Sequence, residues 1–137
     1  MDLKSFMQPI QKEAAFVVSE RFKDENGQPE AWRVKVLDQQ EMDRLEKQCT
    51  KKIVDLKTRI STEKLDQGKL IDTLIENYIV YPNLNDAALQ DFYGAVGALE
   101  TAKKMLLPGE YATLAEGILS AQGFDTEMSE KIKEAKN

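Results

Sequence analysis

Histidine is absent from the chain, and with it go the commonest general base, every HExxH zinc pattern and every Ser-His or Cys-His nucleophile pair. What remains able to do chemistry is one thiol and many carboxylates. Cys49 falls on the apolar side of an expected helix, the setting of an inert buried thiol. Being the single cysteine, it can form neither an intramolecular disulfide nor a thiol pair for a metal. Asp38 with Glu41 and Asp86 with Asp91 are carboxylate pairs of the kind acid–base catalysis uses, yet capping and solvation explain both spacings. Asp24-Glu25-Asn26-Gly27 has its glycine fourth where a calcium loop needs it sixth, and no glutamate stands twelfth. Gly94 and Gly97 form neither GxGxxG nor a Walker loop. The reading is a binding protein and not an enzyme, with no catalytic residue, cofactor or metal expected.

The residues left as candidates are therefore those that could recognise another molecule. Tyr78, Tyr81, Phe92, Tyr93 and Tyr111 cluster in the C-terminal half, where aromatic rings can build either a recognition surface or a core. Core packing is favoured for most of them. Tyr81 and Tyr111 are expected to be accessible, because each lies at a helix end beside proline or glycine. Leu114 joins the candidates as part of the stripe that runs beside Tyr111.

The elements that must position these residues follow from local pattern. Leu3, Phe6, Met7 and Ile10 recur at helical spacing up to Pro9, which suggests a short amphipathic arm. Residues 16–22 and 32–36 are β-branched and aromatic and read as two strands, joined as a hairpin through Asn26-Gly27 and Pro29. Asp38 with Glu41 three residues on has the form of a capping box and opens a helix that carries Met42, Leu45 and Cys49 on one side. Residues 50–61 are charged and weakly periodic, so helix extension and mobile connection both stay open. A stronger helix is expected from residue 62 or 65 to residue 80, with Leu70, Ile71, Leu74, Ile75, Tyr78 and Ile79 as its stripe and Pro82 as its stop. Asp86 caps a short helix, Gly94 and Gly97 allow a bend into residues 99–107, and Pro108 starts a last helix that ends near Gly123. Residues 125–137 are polar and expected to fray.

The sum is an α+β fold, an N-terminal β-hairpin packed on a predominantly α-helical body, in a single domain over residues 1–124. A length of 137 residues with 42% hydrophobic and 31% charged side chains suits one modest core. The net charge of -5 repels phosphate backbones, which argues against nucleic acid. A basic stretch, Lys51, Lys52, Lys57, Arg59 and Lys64, is the local exception and reads as a solvated face. No apolar run approaches the length of a membrane span. No signal peptide is apparent at Met1-Asp2-Leu3-Lys4, and the single cysteine suits a cytoplasmic protein. A helix-turn-helix reading of residues 86–107 is the runner-up. It suffers because Lys103 and Lys104 have no arginine, asparagine or glutamine beside them to read base edges.

Three segments, taken together and in order, resemble the XkdN-like tail assembly chaperones of bacteriophages. They are Val17-Val18-Ser19-Glu20-Arg21-Phe22-Lys23-Asp24 with Gly27 and Trp32-Arg33-Val34; Cys49-Thr50-Lys51-Lys52; and the set Val80-Tyr81-Pro82-Asn83-Leu84, Leu89-Gln90-Asp91-Phe92-Tyr93-Gly94, Lys104-Met105-Leu106-Leu107-Pro108-Gly109-Glu110-Tyr111 and Gly123-Phe124-Asp125. The resemblance covers residues 3–125, weakly over 53–66. It implies a protein of phage or prophage tail morphogenesis in the host cytoplasm that binds the tape measure protein and keeps it soluble. The tail tube protein and a second copy of the chain are further partners to consider. A structural tail completion or connector subunit is the alternative within the same setting. The client surface is expected on the helices at residues 65–80 and 108–121, with Tyr78, Tyr81, Phe92, Tyr93, Tyr111 and Leu114 as the contact residues.

Overall fold

The computed structural model describes residues 3–124; the frayed tail expected at 125–137 lies outside them. The chain opens with a 3-10 turn, Lys4–Phe6, followed by β1 (Glu13–Val17) and β2 (Ala31–Lys35). These two strands pair antiparallel from Glu13 opposite Lys35 to Val17 opposite Ala31, so the N-terminal hairpin exists. Its first strand starts earlier than the β-branched run suggests and does not extend to residue 22. Pairing along the whole of β2 draws in Glu13-Ala14-Ala15 despite their modest strand preference, and past Val17 the chain turns so that Val18 enters the core. The Asn26-Gly27 turn is present, with Gly27 at φ +77, but it closes a smaller loop tied at Lys23 and Pro29.

Helix α1 (Gln39–Gln48) begins at a true capping box. The Glu41 amide donates to Asp38 Oδ1 at 2.8 Å, and Glu41 Oε1 accepts from the Asp38 amide at 3.3 Å. Met42, Leu45 and Cys49 face inward as their spacing dictates. The undecided segment is neither helix nor loose connection. Strands β3 (Thr50–Val54) and β4 (Ser61–Leu65) form a two-stranded hairpin whose base closes where the Asp66 amide donates to the Cys49 carbonyl at 2.8 Å.

Helix α2 (Gln67–Tyr78) starts at Asp66, whose Oδ1 accepts from the Lys69 amide, later than the residue 62 or 65 expected because residues 61–65 pair with β3 instead, and it ends sooner than its apolar pattern implied. Residues 79–80, expected in the helix, leave it as β5 (Ile79–Tyr81) and add a third strand beside β2, giving the order β1-β2-β5. Hydrogen bonds with β2 around Arg33 and Val34 outweigh another half-turn of helix there. Helices α3 (Ala87–Tyr93), α4 (Ala98–Met105) and α5 (Pro108–Ala121) complete the body. Asp86 caps α3, Gly94 ends it in the left-handed region, and Pro108 opens α5. The fold is α+β, as its pattern of elements required.

Helix α2 is the centre of packing, against α4, α5 and β5. Leu74 and Ile75 are wholly buried, with Ala102, Leu114, Ile118, Val34 and Trp32 around them. Helix α5 lies on β1 with Gly117 directly over the Phe16 ring, where any Cβ would overlap the ring carbons. Gly117→Ala should therefore lower stability by about 1–3 kcal/mol, although alanine favours a helix. A urea titration checks this, and an unchanged or higher midpoint would mean that the Phe16 ring moves aside freely.

Candidate binding surface

The six nominated side chains do not form one site. Tyr78 and Tyr81 stand at the junction of α2 and β5, Phe92 and Tyr93 at the end of α3, and Tyr111 and Leu114 on α5. Leu114 has no exposed surface; it lines the core between α5 and its neighbours and can act on a partner only by supporting what lies above it. Tyr111 is half-buried, and its hydroxyl donates to Asp72 Oδ1 at 2.7 Å. Lys103 Nζ approaches Asp72 Oδ2 at 3.5 Å and the Tyr111 ring at 5.9 Å. Burial, and after it the Asp72 carboxylate, holds the phenol proton above its ordinary range, so this group is a strut between α2, α4 and α5.

Phe92 is 79% exposed and meets Tyr93 edge to face at 4.9 Å. Tyr81 is partly exposed, with the Arg33 guanidinium 5.4 Å from its ring centre and Glu30 3.4 Å from its hydroxyl. The Asp38–Glu41 pair and Asp86 are structural. Asp38 and Glu41 cap α1, Asp86 caps α3, and Asp24 Oδ1 accepts from the amides of Asn26 and Gln28. Cys49 is buried, with Sγ 3.8 Å from the Thr73 hydroxyl. Helix α4 turns Ala98, Thr101, Ala102 and Met105 inward, while Lys104 is held by Glu100 and the Gly94 carbonyl. It presents no free row of donors to a DNA groove.

A partner would meet other residues first. Leu3, Phe6, Met7 and Ile10 on the N-terminal arm are all exposed, Phe6 to 82%. The arm leads into an open cleft of about 470 Å³, bounded by Ile10 to Glu13, by Lys35 and Val36 at the end of β2, by Asp38 and Glu41 at the start of α1, and by Val80. A smaller hollow shares Glu41 and continues along α1 past Arg44, Leu45 and Gln48 to Tyr78. Lys35 bridges the two, 3.1 Å from Glu41 Oε2 and 5.8 Å from the Tyr78 ring centre. An apolar floor of Ile10, Val36, Val80 and Tyr78 with a rim of both charges suits the greasy face of an amphipathic segment. The helical spacing of Leu3 to Ile10 was the available signal for the arm. Its approach to Val36 and Val80 depends on tertiary contacts.

A charged clamp ties the segment after β1 to the start of α5. Arg21 donates through Nε and Nη2 to the two oxygens of Glu110, at 3.1 and 2.6 Å, and through Nη2 to the Met105 carbonyl at 2.7 Å. The Leu107 amide adds a third donor to Glu110 at 2.8 Å. Arg21 foremost, then Ser19 and that amide, hold the Glu110 carboxyl at about 2, well below the usual glutamate range. A depressed folded-state value means that the clamp stabilises fully above about pH 4.3 and is lost as pH falls from there towards 2. Glu110→Gln should melt lower at neutral pH and lose less of its Tm across that acidic window. Circular-dichroism melts from pH 7 to 2 test this, and parallel curves for the two chains would show that the clamp contributes nothing.

The sequence matches the model of the phage XkdN-like tail assembly chaperone family over residues 3–136, so the likeness runs past residue 125. Two relatives from Bacillus subtilis (strain 168) are similar along nearly their whole length. One is the uncharacterized protein YqbN, 31% identical over 99% of this chain and 93% of its own. The other is XkdN of the phage-like element PBSX, 29% identical over 99% of this chain and 94% of its own. The crystal structure of YqbN superposes with a TM-score of 0.65 and 27% identity, covering 91% of this chain and 98% of that one.

Proposed function

Because the chain belongs to the phage XkdN-like tail assembly chaperone family, we propose that it acts in tail assembly by binding the tape measure protein and keeping it soluble before the tube closes around it. The observation that carries this reading is the exposed apolar arm, Leu3, Phe6, Met7 and Ile10, leading into the cleft floored by Val36 and Val80. Four large apolar side chains left in water on so short a segment are costly unless a partner covers them. A long helical client has the complementary problem, apolar stripes that aggregate until covered. Several copies of the chain along one client would gain from effective concentration, so each contact can stay weak enough for tube subunits to displace. On this reading the work is done in the cytoplasm of the bacterial host, by binding alone.

Co-expression of the chain with the tape measure protein of the same phage tests the proposal. The expected result is a soluble complex that co-purifies, with the tape measure protein insoluble when made alone. Equal solubility with and without the chain would overturn the reading. Finding the chain at fixed stoichiometry in purified tails would instead make it a connector subunit.

A further inference from the structure

The β3–β4 hairpin stands off the body. Every residue of β3 is exposed, and in β4 only Leu65 is partly covered; beyond their mutual pairing, neither strand packs extensively on another element. An isolated two-stranded ribbon is marginal in water, and this one carries two further burdens. Ile53, Val54, Leu56 and Ile60 are exposed, Leu56 to 90%. Lys51 lies directly opposite Lys64 across the ladder, a like-charge pairing that destabilises a sheet. Among the described residues, none of Lys51, Lys52, Lys57, Arg59 and Lys64 forms an ion pair.

Charge indicates what covers the hairpin. Residues 50–65 hold five basic and two acidic side chains, a net +3, whereas the described body around them, residues 3–49 and 66–124, holds 17 acidic and 11 basic side chains, a net -6. The body of a second copy is thus the complementary surface, present at the same concentration as the hairpin itself. A hairpin-to-hairpin contact would set like charges together. The contact must therefore run from the hairpin of one copy to the body of another, reciprocally in a twofold dimer or head to tail in a ring. We propose that the β3–β4 hairpin is a self-association arm, docking its basic and apolar residues on the acidic body of a neighbouring copy. This inference does not depend on the identity of the client.

Sedimentation velocity on the full chain tests it, at about 0.05 M and about 0.5 M salt. The expected result is a concentration-dependent oligomer at low salt that weakens in high salt. Leu56→Asp should weaken association about tenfold or more, and reversing four charges together (Lys51→Glu, Lys52→Glu, Lys57→Glu, Arg59→Glu) should abolish it. Circular dichroism of each variant confirms the fold, which these exposed positions should leave intact. A chain that stays monomeric in low salt at all concentrations, or an oligomer indifferent to both variants, overturns the proposal. If the chain is monomeric and the same substitutions abolish tape measure capture, the hairpin serves the client, and self-association is equally overturned.

Discussion

Replacing Phe6, Met7 and Ile10 together by serine (Phe6→Ser, Met7→Ser, Ile10→Ser) is expected to weaken tape measure capture on the order of 1,000-fold or more, with little change in thermal stability. Each side chain is largely exposed in the free chain, so its removal leaves no cavity and should shift stability by no more than about 0.5 kcal/mol. If the arm packs on a client, each gives up roughly 1.5–3 kcal/mol of burial in the complex, and three such losses multiply in the dissociation constant. Pull-down from co-expressing cells, paired with melts of the variant alone, separates the two effects. Normal capture by a folded triple variant would remove the arm from the binding surface and leave the cleft along α1 to stand alone.

Leu114→Ala is expected to have the opposite signature. Leu114 is wholly buried between α5 and the core, so truncation removes buried methyl groups and leaves a cavity that its neighbours only partly fill. The expected cost is about 2–5 kcal/mol, a large share of the stability of a domain this size. Capture should fall only as the folded fraction falls. Chemical denaturation measures the cost, and capture below about the midpoint temperature reports whether the folded variant still binds. A stable variant that specifically loses the client would return Leu114 to the binding surface.

These two outcomes divide the positions that local pattern alone could not rank. A leucine at helical spacing looks the same from sequence whether its stripe faces the core or a partner. Tyr111 shows the same ambiguity. Its place near Pro108 suggests an accessible ring, yet the approach of Asp72 and Lys103 from two other helices turns it into a strut.

The amino-acid sequence by itself determined whatever is closed by hydrogen bonds within a few residues or by a single side chain's geometry. The capping box at Asp38 and Glu41, the Asp86 cap, the Pro108 start and the Gly27 turn all belong here. So does the absence of histidine. Tertiary structure decided everything that depends on a partner strand or helix far along the chain. Residues 79–81 have the pattern of a helix end and become β5 because β2 offers them backbone hydrogen bonds. Residues 50–61 are only weakly periodic and residues 62–65 read as a possible helix start, yet the segment pairs with itself as a hairpin. The arm meets the cleft only once β2, α1 and β5 surround it. Pairing energy between distant segments leaves no local period in either one, and so it becomes legible only after the chain has closed on itself.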